Sequence, residues 1–207
     1  MEELVQKLAD LEEGDVLAMV GAEVENGTDP LEIFDACRRG MVMVGERYEA
    51  GEYFVSELMM AAAIFKEVTG ILEPAMAGRT AETRGSVVVG TVEGDIHDIG
   101  KDLVVGMLQA AGFEVHDLGV DVAPAAFVAK LQETGATILS LSGLMTTSFD
   151  PMKATVDALA EAGLRPGVKV MIGGGPVTEK IQAYTGADAW GASAQAAVNL
   201  ANQWMGG

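Results

Sequence analysis

Ser86-Val87-Val88-Val89-Gly90-Thr91 is a β-branched run. Val92-Glu93-Gly94-Asp95-Ile96-His97-Asp98-Ile99-Gly100-Lys101 follows it, and helical spacing sets in over residues 99–111. A strand that passes through a loop into a helix is the repeating unit of an α/β fold. The alternation recurs downstream, with strands predicted at 113–118, 137–141, 168–172 and 187–190, each followed by a helix-length segment. Five short apolar strands interleaved with helices imply a parallel sheet covered on both faces. In such a sheet a ligand sits outside the carboxyl ends of the strands, where the connections diverge, so the loops after strands one, three and four are expected to carry function.

Upstream of the first strand the period is helical throughout. Leu4, Leu8 and Leu11 are spaced four and three apart, and Leu17, Val20 and Val24 three and four. Phe34, Cys37, Met41, Val44 and Tyr48 continue the alternation, and Leu58, Ala61, Phe65, Val68 and Leu72 repeat it. Breaks at Glu13-Gly14-Asp15, at Asn26-Gly27-Thr28-Asp29-Pro30 and at Ala50-Gly51-Glu52 separate four helices, with Asp29 as an N-cap and Pro30 as a first helical residue. The expected organisation is a four-helix bundle over 1–75, a polar, aperiodic linker over 76–85, and a Rossmann-like (flavodoxin-like) domain with a five-stranded parallel sheet over 86–207.

Composition narrows the function. The chain has 207 residues, enough to bury about 70% of its unfolded surface. Acidic residues outnumber basic ones 31 to 13, a formal charge of −18 that repels nucleic-acid phosphates and suits either simple solubility or steering toward basic protein partners. The single cysteine, Cys37, excludes an internal disulfide and any multi-thiolate metal site; its place on an apolar helical stripe suits a small core residue better than a nucleophile. The start Met1-Glu2-Glu3 lacks a basic segment and an apolar run, and no stretch approaches the ~20 apolar residues of a membrane span, so a cytoplasmic protein without membrane partners is expected.

The loop after strand one sets His97 between Asp95 and Asp98. A carboxylate on one imidazole nitrogen orients the other toward a metal, although an Asp-x-His triplet also suits a solvated loop or helix cap. After strand three comes Ser140-Leu141-Ser142-Gly143-Leu144-Met145-Thr146-Thr147-Ser148, rich in hydroxyls that can bond a ligand, and after strand four comes Gly173-Gly174-Gly175-Pro176, which lets a ligand approach the backbone. Taken alone, each reads first as an ordinary strand-to-helix turn with Ser or Thr caps.

Together the three loops resemble the cobalamin-binding signature of methionine synthase and its relatives, in which Asp-x-His-x-x-Gly is followed by Ser-x-Leu and then Gly-Gly. Here these are Asp95, His97 and Gly100, then Ser142 and Leu144, then Gly173 and Gly174, and both intervening gaps, 101–141 and 145–172, match the family. The resemblance reaches the helical region. Gly45-Glu46-Arg47-Tyr48-Glu49-Ala50-Gly51-Glu52-Tyr53-Phe54-Val55-Ser56-Glu57-Leu58 looks like the segment that covers the upper corrin face, with Tyr48 where the family usually has Phe and Val55-Ser56 where it has Leu-Pro. Tyr48 and Val55 also read as bundle core. The two-part layout is similar to the free-standing corrinoid proteins of methyl-transfer systems acting on methylamines, methanol or aryl methyl ethers.

The resemblance implies a bound cobalamin (a corrinoid with cobalt), with His97 replacing the cofactor's benzimidazole as the lower cobalt ligand, Asp95 on the second His97 nitrogen and Ser148 supporting Asp95. It further implies cofactor contacts from Tyr48, Val55, Gly94, Asp98, Ile99, Gly100, Ser142, Leu144, Thr146, Gly173 and Gly174, with the two glycines leaving a slot for the nucleotide tail. The chain would then be a non-autonomous subunit. Its implied partners are a substrate-specific methyltransferase, a second methyltransferase acting on tetrahydrofolate or coenzyme M, and a reductive activase. A cobalamin-dependent mutase subunit and a cobalamin-dependent sensor share parts of the signature, and a flavin or phosphate could occupy the same switch point.

Overall fold

The computed structural model describes residues 1–76 and 83–206, and the chain divides into two compact units, Met1–Thr83 with Gln109–Gly112, and Arg84–Leu108 with Phe113–Gly207. Most of the expected linker, residues 77–82, lies outside the described residues.

The first unit contains four helices, α1 (Glu2–Ala9), α2 (Glu13–Glu25), α3 (Pro30–Glu49) and α4 (Val55–Leu72). Asp29 caps α3 by accepting from the Leu31 amide at 3.0 Å, and Pro30 opens the helix as expected. Ile33, Cys37, Met41 and Val44 of α3 and Leu58, Ala61, Phe65, Val68 and Leu72 of α4 are buried, and Phe34 tilts against Phe65 with ring centroids 5.5 Å apart. Burial also settles Cys37 as a core thiol, its pKa pushed up to about 12 by desolvation.

One break falls elsewhere than expected. Glu13-Gly14-Asp15 is the first turn of α2, where the acidic side chains sit favourably at the positive end of the helix dipole. The chain instead turns at Asp10-Leu11-Glu12, with Leu11 in the left-handed region at φ 61°. Leu11 therefore does not extend the stripe of Leu4 and Leu8, and α2 buries Val16 and Val20 rather than Leu17.

The second unit is a five-stranded parallel sheet in the order β2-β1-β3-β4-β5: β1 (Ser86–Thr91), β2 (Glu114–Asp117), β3 (Ile138–Ser142), β4 (Lys169–Gly173) and β5 (Ala189–Gly191). Helices α5 (Ile99–Ala110), α6 (Pro124–Thr134), α7 (Phe149–Glu161), α8 (Glu179–Thr185) and α9 (Ala194–Trp204) connect or follow the strands. Val87, Val88 and Val89 are all buried regardless of alternation, as a strand covered on both faces requires. One core cluster runs from Val88 and Leu139 through Phe127, Met152 and Leu159 to Val170 and Ile172.

Topology positions the site. β1 lies between β2 and β3, so the chain leaves β1 toward one side and returns to β3 on the other; this reversal opens a crevice at the carboxyl ends. Register brings the relevant loops level, because Thr91 pairs with Ser142, Ser142 with Gly173 and Gly173 with Gly191 across four strands.

Candidate functional site at the carboxyl ends of the strands

The loop leaving β1 carries Asp95 and His97. Asp95 is fully buried and spends both carboxylate oxygens. Oδ1 lies 2.7 Å from His97 Nδ1 and accepts from the His97 amide at 3.0 Å. Oδ2 accepts from the Ser148 hydroxyl at 2.6 Å and from the amides of Leu144 and Met145 at 2.7 and 3.2 Å. Burial pushes the Asp95 pKa up, but the Ser148 hydroxyl, then the His97 amide and ring and the Leu144 amide, outweigh it and hold the carboxyl well below the usual carboxylate range. Asp95 is therefore a carboxylate anchored to the β3 loop, across the strand pair that Thr91 and Ser142 align.

The His97 side chain is 49% exposed. The Nδ1 contact fixes its ring, the Thr91 hydroxyl holds its carbonyl at 3.0 Å, and Nε2 is left as the outward nitrogen. Apolar residues flank it on the same two loops and at the first residue of α5, with Ile96 71%, Leu144 49% and Ile99 68% exposed. Among the described residues no group of three or more His, Cys, Asp or Glu side chains gathers into a metal cage. A single oriented imidazole amid exposed apolar side chains would supply one ligand to a metal whose other ligands come from outside the protein.

The structure thus brings together Asp95, His97, Ser148 and Leu144. Ser142 ends β3 and Thr146 begins the 3-10 turn that carries Ser148. Asp98 is exposed just before α5, its carbonyl accepting from the Asp102 amide at 2.7 Å; Ile99 and Gly100 open that helix. Gly173 ends β4. Gly174 has a structural reason of its own, for at φ 131° a Cβ would stand 1.9 Å from the Gly143 carbonyl oxygen, so glycine is required for the β4 loop to meet the β3 loop.

In the helical unit Tyr48 is half-buried on α3, and Val55 is 51% exposed at the start of α4 beside Phe54 at 70%, so Val55 is not bundle core. The turn that presents them is clasped by residues the sequence reading passed over. Arg47 Nη1 donates to the Ala9 carbonyl at 2.6 Å, to Asp10 Oδ1 at 2.8 Å and to the Tyr53 hydroxyl at 2.7 Å, and that hydroxyl donates to the Ala9 carbonyl at 2.8 Å.

Two further residues were missed in the sheet unit. Lys101, almost wholly buried, reaches Asp117 Oδ2 at 2.5 Å and Asp102 Oδ1 at 2.6 Å. Asp121, in the β2 loop, accepts from the Gly94 amide at 2.7 Å. The available signal was Asp117-Leu118-Gly119-Val120-Asp121, two carboxylates about a glycine at the carboxyl end of a strand.

Among the described residues no helix is long and apolar enough to cross a membrane. Residues 85–199 and residues 1–73 each match a family model described as a B12 binding domain. A dimethylamine corrinoid protein of Methanosarcina barkeri is 41% identical over 99% of this chain and 98% of its own length. A cobalamin-binding protein of Desulfitobacterium hafniense, solved by crystallography, superposes with a TM-score of 0.76 at 38% identity, covering 98% of this chain and 97% of that one. The methanol:cobalamin methyltransferase complex of Methanosarcina barkeri contains a chain that superposes with a TM-score of 0.85 at 32% identity, covering 99% of this chain and 78% of that one. With the parallel sheet, the loop that presents His97 and both halves of the sequence accounted for, the chain belongs to the cobalamin-binding corrinoid proteins of methyltransferase systems.

Proposed function

We propose that this chain is the methyl-carrying subunit of a multi-component methyltransferase and holds cobalamin with the benzimidazole displaced and His97 in the lower axial place. The observation that carries this reading is the pair formed by buried Asp95 and half-exposed His97, 2.7 Å apart at Nδ1. The cofactor, when bound, supplies a cobalt centre able to accept and give up a methyl group. The protein's part is to hold the imidazole. With the proton between Asp95 and His97 kept at Nδ1, Nε2 is the free donor, and Ser148 with the Leu144 and Met145 amides keeps the Asp95 carboxylate ionised and in place. The chain of contacts from the His97 ring through Asp95 to the Ser148 hydroxyl would be the route by which the protein holds or passes a proton at Nδ1.

In this reading Gly94, Asp98, Ile99, Gly100, Ser142, Leu144, Thr146, Gly173 and Gly174 line the cofactor's lower side and tail. Tyr48 and Val55 cover its upper side, residues 1–75 acting as cap, 76–85 as linker and 86–207 as binding domain. A substrate-specific methyltransferase loads the methyl group, and a second one unloads it to tetrahydrofolate or coenzyme M. A reductive activase restores cobalt that has been oxidised, and all work in the cytoplasm. Among methylamine, methanol and aryl methyl ether donors, the dimethylamine relative, matched over nearly the whole of both chains, favours methylamines.

The test is electron paramagnetic resonance of the Co(II) form reconstituted with 15N-labelled histidine. The unsubstituted protein is expected to show coupling to one protein nitrogen. His97→Ala is expected to keep the fold and much of the corrinoid but lose that coupling. An unaltered Co(II) spectrum in His97→Ala refutes the assignment, and robust demethylation of a donor by the isolated chain refutes the carrier role.

A further inference from the structure

We infer that Asp121, in the loop after β2, is a positioning residue for His97: its carboxylate and its amide together clamp Gly94 and Asp95 and so set where the imidazole points. This rests on the His97-ligated reading above.

Asp121 Oδ1 accepts from the Gly94 amide at 2.7 Å while the Asp121 amide donates to the Asp95 carbonyl at 2.9 Å, so one residue holds the two consecutive residues that lead into His97. It does so from φ 54°, a left-handed conformation that a side-chain-bearing residue keeps only where its surroundings over-determine it, and which Asp tolerates better than most. Gly94 itself lies at φ 79° with open space where a Cβ would stand, and the Asp95 amide closes the turn on the Val92 carbonyl at 3.1 Å, so the clamp from Asp121 is what ties this glycine turn to the β2 loop directly before Asp95.

The clamp is mounted on a rigid frame. Asp117 Oδ1 accepts from the Gly119 amide at 2.9 Å, and its Oδ2 takes the buried Lys101 ammonium from the start of α5. The Gly119 carbonyl accepts from the Thr91 amide at 2.9 Å, and the Val122 amide donates to the Thr91 carbonyl at 3.0 Å. Asp95 is therefore gripped from two sides, its side chain by the β3 loop and its backbone by the β2 loop. Because the ring contact to Asp95 is a single 2.7 Å hydrogen bond, any tilt of the Asp95 peptide is passed on to the Nε2 direction.

Two substitutions isolate the carboxylate. Asp121→Gly accepts the left-handed backbone and keeps the amide but removes the acceptor; Asp121→Asn keeps an acceptor oxygen and tolerates the same φ. Each full-length protein is reconstituted with cobalamin and labelled histidine, and the nitrogen-coupled Co(II) signal is divided by total bound corrinoid from absorbance. The melting temperature of the cofactor-free protein is recorded alongside. Asp121→Gly is expected to bind corrinoid but to lower the coupled fraction about tenfold, and Asp121→Asn to restore it to within about twofold, as outer-shell partners of metal ligands do. An Asp121→Gly ratio equal to that of the unsubstituted protein overturns the inference while leaving the parent reading intact. Loss of corrinoid in step with a collapse of the melting temperature also overturns it, since Asp121 would then be general scaffold. Absence of nitrogen coupling in the unsubstituted protein removes the parent reading and this inference together.

Discussion

Replacing Ser148 with alanine removes one of the five contacts on the Asp95 carboxylate and leaves its charge buried. A hydrogen bond to a charged group contributes about 1.5–3 kcal/mol. Oδ2 keeps the Leu144 and Met145 amides, so it is weakened rather than orphaned, and the loss belongs at the low end of that range, about 1.5–2 kcal/mol. For a chain of this size that corresponds to a fall of about 3–8 °C in melting temperature. Urea or thermal unfolding of the cofactor-free protein at neutral pH measures it, with Thr147→Ala, an exposed neighbour on the same turn, as the control expected to change stability by less than about 0.5 kcal/mol. A Ser148→Ala change no larger than the control's would mean that the Asp95–Ser148 bond does not hold the loops together, and the account of how His97 is oriented would fail with it.

Two further outcomes follow from the same frame. Lys101→Met is expected to destabilise the protein by about 1–3 kcal/mol at neutral pH, less than for a fully buried ion pair because Asp117 and Asp102 remain partly exposed. Burial pushes the Lys101 pKa down, but Asp102 and Asp117 hold it above the ordinary lysine value. The unsubstituted protein's advantage is therefore fully present below about pH 10.4 and lost as pH rises through the raised folded-state value; an advantage that disappears between pH 6 and 8 would refute this. Gly174→Ala is expected to cost at least about 3 kcal/mol, combining an unfavourable positive φ with a Cβ 1.9 Å from a carbonyl oxygen; near-neutral unfolding curves would show that the β4 loop can yield.

The sequence by itself determined the elements, because they are written in local pattern, while the histidine loop stood out through its resemblance to a family signature spread over three loops. The β-branched run of β1, the helical spacing from Ile99 and the three–four alternation of α3 and α4 each depend on residues a few positions apart. The break before α2 was misplaced for the complementary reason. Gly14 resembles a stop signal, yet the left-handed residue is Leu11, whose conformation is set by how α1 and α2 pack and not by its own preference. Only the tertiary structure decided how the site is held. Asp95 meets Ser148 and Leu144 because the register pairs Thr91 with Ser142, and Asp121 reaches Gly94 because β2 lies on the other side of β1. Such contacts join residues dozens of positions apart in loops without periodicity, and their partners are chosen by strand order and register, quantities that no local spacing encodes.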